Sequence, residues 1–253
     1  MTQFEVAAEA YDRFMGVYSR QLAPLLADYA GLHAGQRVLD VGCGPGALTT
    51  ELVGRLGAGA VVAVDPSRSF IEALRERCPS VEVEQAAAEE LPFGDGAFDA
   101  ALAQLVVHFM ADPVAGLREM RRVTRPRGVV AACVWDHGGE RSPLTPFWQA
   151  VRAVAPHARD ESELAGAREG HLAELFAAAG LSDVHDTALE VRVEHQSFEE
   201  WWEPFTRGIG PAGAYVAGLD PEARAELRER CRAVLPEAPF TLAAHAWTVR
   251  GLA

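Results

Sequence analysis

Two aspartates and a glycine turn carry the first chemical signal in this chain. In VLDVGCGPGALT, residues 38–49, Asp40 precedes Gly42, Gly44 and Gly46, and Asp65 ends the next apolar run, VVAVD. Glycines allow a tight turn and let backbone N–H groups approach a ligand where a Cβ would otherwise stand. Gly42, Gly44 and Ala47 also satisfy the dinucleotide pattern G-x-G-x-x-G/A, which keeps a nicotinamide cofactor in view. Asp40 points elsewhere, because a carboxylate beside the ligand raises the cost of binding a pyrophosphate, and Pro45 removes a backbone N–H from the turn. A carboxylate at Asp40 suits an ammonium group, and one at Asp65 can accept hydrogen bonds from both hydroxyls of a ribose. Such a group at the end of a buried strand is costly without a partner, so ligand binding is the expected role of both. An ammonium at one end and a ribose at the other describe S-adenosylmethionine.

Other residue types with catalytic potential are sparse. His108, in QLVVHFM, is a candidate general base for a hydroxyl or amine acceptor, with a packing or cofactor-lining histidine as the plainer alternative. His33, His137, His157, His171, His185, His195 and His245 do not fall at ligand spacings and read as surface or core residues. Cys43, Cys78, Cys133 and Cys231 form no CxxC or Cys/His pattern, so neither a metal site nor a disulfide framework is expected.

The elements that must position these residues follow a rhythm of short apolar runs and longer amphipathic stretches, which predicts parallel strands joined by crossover helices. The strand candidates are RVLDV, AVVAVD, VEVEQ, FDAALAQ and GVVAACVW. GALTTELVGRLG, SRSFIEALRERC and DPVAGLREMRRV read as the helices between them, the last capped by Asp112, opened by Pro113 and stopped near Pro126. A doubly wound, Rossmann-like α/β sheet accounts for residues 37–135. Residues 1–35 read as an N-terminal helical cap, with Tyr11, Phe14, Met15 and Tyr18 spaced to dock on the core. Two late strands, at about 183–195 and 240–252, flank a helical insertion at 197–236, which suggests an antiparallel last strand and an insertion over the substrate side of one domain spanning 1–253. Trp201, Trp202 and Phe205 in that insertion suit either plain core or a substrate wall.

Composition narrows the partners. The formal charge of −13 disfavours nucleic acid and anionic lipid, and the basic run REMRRVTRPR reads as the solvated face and end of a helix. The opening residues lack the basic and apolar regions of a leader, and no apolar run reaches ~18 residues, so a cytoplasmic location without membrane partners is expected.

The order of these signals resembles the class I S-adenosylmethionine-dependent methyltransferases, closely over about residues 10–135 and loosely beyond. LDVGCGPGALT is similar to the family's first motif, VVAVDPS to its second, and AAAEELPFGDGAFDAALAQLVVHFMADPVAGLREMRRVTRPRG to its third to fifth segments. The flavour is that of small-molecule enzymes of quinone-biosynthesis and natural-product type. The resemblance implies that Asp40 holds the methionine amino group, directly or through water, that Gly42 and Gly44 line the middle of the cofactor, and that Asp65, with Pro66 beside it, binds the ribose. In the family an aspartate usually meets the adenine amino group. Here Ala87 and Ala88 stand at those positions, leaving the backbone of Ala88 and Glu89 and a weaker or water-mediated adenine contact. Gln104 would face the methionine portion, His108 would lie where acceptor and sulfonium meet, and an N-terminal helix closing over the cofactor would bring Tyr18 or Tyr11 to the site.

The expected activity is methyl transfer from S-adenosylmethionine to a small-molecule acceptor at oxygen, nitrogen or carbon, leaving S-adenosylhomocysteine. A nicotinamide oxidoreductase is the alternative, disfavoured by Asp40, by Pro45 and by the absence of any lysine for a Tyr-x-x-x-Lys pair. A cofactor-binding module without catalysis is the third reading, hinted at by Ala87.

Overall fold

The computed structural model describes residues 8–253. The first residues of the expected 1–35 cap, which also open the stretch read for a leader, lie outside the described residues. The described chain starts with α1 (Ala8–Tyr11), a π-helical turn (Asp12–Gly16) and α2 (Val17–Ala30). Strand and helix then alternate through β1 (Val38–Val41), α3 (Ala47–Leu56), β2 (Val61–Asp65), α4 (Arg68–Arg77) and β3 (Glu82–Gln85). β4 (Phe98–Gln104), α5 (Pro113–Val123) and β5 (Thr124–Trp135) complete this core. After α6 (Thr145–Val154) and α7 (His171–Ala178) comes β6 (Ser182–His195). Helices α8 (Phe198–Trp202), α9 (Gly210–Ala217) and α10 (Pro221–Val234) then precede β7 (Phe240–Leu252).

The seven strands form one sheet in the order β3-β2-β1-β4-β5-β7-β6, parallel except that β7 runs antiparallel to both neighbours. The continuous apolar runs of β1, β2 and β4 have the physical cause expected of central parallel strands, which are covered on both faces. Val38, Ala63 and Leu102 point into one core with Leu22 of α2, Leu52 of α3, Phe147 of α6 and Leu227 of α10. Their neighbours Leu39, Val64 and Ala103 point into the other, with Leu117 of α5 and Phe176 of α7.

Local chemistry sets the helix ends. Asp112 Oδ1 accepts the Ala115 N–H at 3.0 Å, and Pro113 occupies the first turn of α5. The stop near Pro126 comes earlier than expected, because α5 ends at Val123 and the chain passes directly into β5. Pro126 lies at the irregular start of that strand, where pairing with β4 shifts register and Arg127 has φ 62°. The arginines of the basic run brace loops: Arg122 reaches Glu119, Asp95 and the carbonyls of Leu91 and Phe93, and Arg125 reaches Asp99. Trp201, Trp202 and Phe205 are core rather than substrate wall. They pack with Phe198 and Phe147, whose ring stacks on Phe205 at 4.6 Å.

Candidate functional site

A cleft opens at the carboxyl ends of the strands, where the order reverses between β1 and β4. Gly42 and Gly44 follow β1, Asp65 ends β2 with Pro66 and Ser67 just beyond, Ala87, Ala88 and Glu89 follow β3, and Gln104 ends β4 with Leu105 and Val106 just beyond. Tyr11, Phe70, Phe109 and Met110 add apolar walls around a void of about 1230 Å³, open solvent at its mouth included.

The glycine turn serves this cleft by its shape. Gly42 and Cys43 both donate to the Val64 carbonyl, at 2.8 and 2.9 Å, Gly46 donates to Cys43 at 3.0 Å, and Gly44 donates to Asp65 Oδ2 at 2.9 Å. With Pro45 lacking an N–H, these donors are engaged within the protein and offer no cradle to a pyrophosphate. The expectation that turn N–H groups approach the ligand is therefore corrected for these residues. The two glycines that line the cleft also differ. At Gly42, φ 70°, a Cβ would lie 2.3 Å from a Val106 methyl, whereas at Gly44, φ 53°, it would meet no atom within 4 Å.

Asp65 stands on the wall, its Oδ1 held by the Ser67 N–H at 2.8 Å and its Oδ2 by Gly44. Burial pushes its carboxyl up to about 6 against those two hydrogen bonds. Asp40 is deeper, 1% exposed and outside the residues that line the cleft. Thr49 Oγ1 of α3 donates to its Oδ2 at 2.6 Å, while Oδ1 is buried and without a partner. Burial lifts this carboxyl to about 7, with repulsion from Asp65 adding to the rise and Thr49 opposing it. An acidic pair with one orphaned oxygen suits a ligand that brings a cation and hydrogen-bond donors.

Gln104 donates to the Ser19 carbonyl at 3.1 Å, and its buried Oε1 has no partner. Ala87 and Ala88 line the cleft, and the Glu89 carboxylate accepts the Asp112 N–H at 3.2 Å. Tyr18 is not brought to the cleft. Its hydroxyl pairs with His195 Nε2 at 2.9 Å and its ring packs edge-on against Trp135, in the core. Tyr11 takes the cleft position instead, edge-on to Phe70 at 5.4 Å. Arg77 secures this arrangement by donating to the Pro45 carbonyl at 2.6 Å and pairing with Asp12 of the π-helical turn.

His108 faces a second compartment. Phe14, Met15, Trp135, His137, Leu144, Glu161 and the Ile209–Ala212 segment border this smaller, mostly apolar space of about 420 Å³, open solvent included, and Tyr11, Leu105 and Phe109 are common to it and to the cleft. Leu105 takes φ 60°, an uncommon conformation for its type, at the junction. His108 is buried with Nδ1 unpartnered, and burial holds its imidazole well below the ordinary 6.5. His137, read from sequence as surface or core, lies 6.2 Å from the His108 ring between centroids. Glu161 carried no sequence signal at all. No group of three His, Cys, Asp or Glu among the described residues could hold a metal, and no helix among them is long and apolar enough to cross a membrane.

Comparison with known proteins bears on this geometry. The methyltransferase domain family matches residues 39–132, the span that contributes the strand ends around the cleft. A demethylmenaquinone methyltransferase of Renibacterium salmoninarum is 31% identical over 216 residues, covering 78% of this chain and 90% of that relative. The chain belongs to the class I S-adenosylmethionine-dependent methyltransferases. S-Adenosylmethionine is accordingly the cofactor of this methyltransferase. An uncharacterized methyltransferase of Mycobacterium tuberculosis is 38% identical over 138 residues, 54% of each chain, and this methyltransferase spans about half the length of the first curated relatives it matches. Its fold is that of the YcgJ protein of Bacillus subtilis, with TM-score 0.59 and 19% identity over 92% of this chain and 97% of that one.

Proposed function

We propose that this methyltransferase transfers a methyl group from S-adenosylmethionine to a small, largely apolar acceptor at oxygen, nitrogen or carbon. The observation that carries the reading is the common wall of Tyr11, Leu105 and Phe109, which joins the large cleft to a smaller, mostly apolar pocket. The cofactor, when bound, supplies a methyl group already activated on a sulfonium. Asp65 would hold the ribose hydroxyls, and Asp40 would pair with the methionine ammonium through its free Oδ1, directly or across one water. Gly44 would leave room for the middle of the cofactor, and Ala87 and Ala88 would pack against the adenine with the backbone supplying its polar contacts.

The remaining work is positional. Apolar and aromatic walls exclude water and hold the acceptor atom in line with the methyl group, at a near-attack distance of ~3 Å. Tyr11 and Phe109 line the cleft as aromatic residues, a wall chemistry that suits a sulfonium cation. His108 borders this wall and would be the nearest imidazole to take the proton of a hydroxyl or amine acceptor, acting as a weak base because burial disfavours its protonated form. The relative that acts, by its name, on demethylmenaquinone supports a small-molecule acceptor. The acidic surface supports a protein that binds neither nucleic acid nor anionic membrane, and four free cysteines suit the cytoplasm.

The test is transfer of a labelled methyl group from S-adenosylmethionine across hydroxyl, amine and carbon acceptors, with calorimetry against S-adenosylhomocysteine and NADH in parallel. Turnover supports the reading. NADH binding without S-adenosylhomocysteine binding overturns it, and S-adenosylhomocysteine binding without turnover on any acceptor favours a non-catalytic module. With a hydroxyl acceptor, His108→Gln is expected to lower kcat by about 100-fold while the S-adenosylhomocysteine Kd stays unchanged.

A further inference from the structure

Methyl transfer to a hydroxyl, to a primary or secondary amine or to carbon releases one proton per turnover. The new bond to the methyl carbon is made with an electron pair from the acceptor, the carbon–sulfur pair stays on sulfur, and a hydrogen of the acceptor departs as a proton. His108 is a poor final holder for that proton, because burial disfavours its imidazolium. The proton therefore needs a way out of a buried, mostly apolar region.

Two adjoining spaces outline one. His108 and His137 border the same mostly apolar space, with ring centroids 6.2 Å apart. Nδ1 of His108 and both ring nitrogens of His137 are buried without a hydrogen-bond partner, so the two rings are not bonded directly. One water spans such a gap with two hydrogen bonds of ~2.8 Å. His137 and Glu161 in turn border a polar recess shared with Ser142, Thr145 and Ser162. That recess measures about 210 Å³, open solvent included, which is room for water rather than for an acceptor. Exposed Glu140 and the half-buried Asp160 and Arg152 carry it to the surface.

The charges around this route leave Glu161 as its proton-holding group. Glu161 Oε2 accepts the Trp148 indole N–H at 2.8 Å, and burial lifts the carboxyl to about 7, with Trp148 opposing the rise and the Asp160 carboxylate adding to it. Arg152 is engaged by Asp160 at 2.7 Å and by Glu140. Asp136, next to His137 in the chain, is taken up by the Gly139 N–H, the Arg141 guanidinium and the Trp247 indole. His137, pushed by burial down to about 4, passes a proton without keeping it, whereas Glu161 gains and loses one near neutral pH.

We propose that His108, His137 and Glu161 form an exit path along which the acceptor's proton travels, through bridging water, from the reacting atoms to solvent in the recess. This rests on the methyl-transfer reading and adds two residues to it. His137 takes the proton on one ring nitrogen and gives up the proton of the other. Glu161 receives it as a carboxylate and returns it to water beside Glu140 and Asp160. Neither touches the acceptor, so both are positioning residues for the proton that act through His108.

Phenol, aniline and indole, which lose a proton on methylation, and N,N-dimethylaniline, which does not, test the path as acceptors of labelled methyl at saturating S-adenosylmethionine. Glu161→Gln, which still accepts the Trp148 indole, is expected to lower kcat about tenfold with each proton-losing acceptor that is turned over and to remove the rise of kcat through pH 7. It should spare N,N-dimethylaniline and leave the S-adenosylhomocysteine Kd unchanged, and His137→Phe should behave alike. Infrared difference spectra of the unliganded protein supply a readout apart from turnover: a protonated-carboxyl band that Glu161→Gln removes should titrate near pH 7 and be displaced in His137→Phe. A pH rise that survives Glu161→Gln, an equal loss with N,N-dimethylaniline, or a Glu161 band that titrates near the ordinary 4.5 or ignores His137→Phe overturns the path. If none of the four acceptors is methylated, the infrared band alone decides. Failure of the wild type to bind S-adenosylhomocysteine overturns the methyl-transfer reading itself, and the path with it.

Discussion

Replacing Asp40 by asparagine separates what a buried carboxyl costs the unliganded protein from what it gives the cofactor. Burial lifts Asp40 from the ordinary 3.8 to about 7. The unfolded chain therefore ionises first as pH rises. A carboxyl raised in this way contributes its full stability below about pH 4, and that contribution is lost as pH climbs through 7. Roughly three units correspond to about 4 kcal/mol. Asparagine keeps an oxygen for the Thr49 hydroxyl and removes the charge. Unliganded Asp40→Asn is thus expected to be more stable than the wild type at pH 8, by up to about 4 kcal/mol, with the difference shrinking toward pH 4. Cofactor affinity should move the other way. An ammonium near the unpartnered Oδ1 favours the ionised form, so S-adenosylhomocysteine should bind the wild type more tightly as pH rises from 5.5 to 8, with Asp65 adding to the lower part of that range because its value is about 6. Asp40→Asn should bind it about tenfold or more weakly at pH 8 and show a flatter pH dependence above 6.5. Urea unfolding and calorimetry on both proteins at pH 4.5, 6 and 8 measure the two effects. A variant that is less stable at pH 8, or one that binds S-adenosylhomocysteine as well as the wild type, would refute the reasoning.

Other substitutions probe the cleft. Asp65→Ala removes a wall carboxylate that also pins Gly44 and Ser67, and calorimetry should find S-adenosylhomocysteine binding weakened by more than about tenfold; an unchanged Kd would take Asp65 out of the site. Gly42→Ala and Gly44→Ala should fail differently. The first drives a methyl into Val106 and should lower Tm sharply, while the second puts its methyl into open cleft and should weaken cofactor binding more than it lowers Tm. Equal Tm losses in the two variants would count against that division.

Much of the frame was legible because the central strands are long enough and apolar enough to announce burial on both faces, and because Asp112, Pro113 and Gly57 mark helix ends by local chemistry. The N-terminal segment was less legible. Tyr11, Phe14, Met15 and Tyr18 have α-helical spacing, but Asp12–Gly16 winds as a π-helical turn, which changes the rotation per residue and turns Tyr11 to the cleft while Tyr18 enters the core. Asp65 could be read because it ends an apolar run. His137 and Glu161 could not, since each follows a loop whose path depends on Asp136, Trp148 and Arg152 rather than on any local period. Engagement of the turn N–H groups by Val64 and Asp65 is likewise a tertiary fact that no spacing encodes.

The three residues that wall both compartments have a thermodynamic consequence. On the proposed reading, a cofactor filling the cleft would restrict Tyr11, Leu105 and Phe109, the same residues an acceptor in the neighbouring pocket would pack against. The binding free energies of donor and acceptor are therefore not independent quantities. Linkage requires that whatever factor S-adenosylhomocysteine imposes on acceptor affinity is returned, undiminished, as a factor on its own. A preferred order of binding can thus arise in this enzyme with no hinge and no moving domain, from the ordering of a single partition.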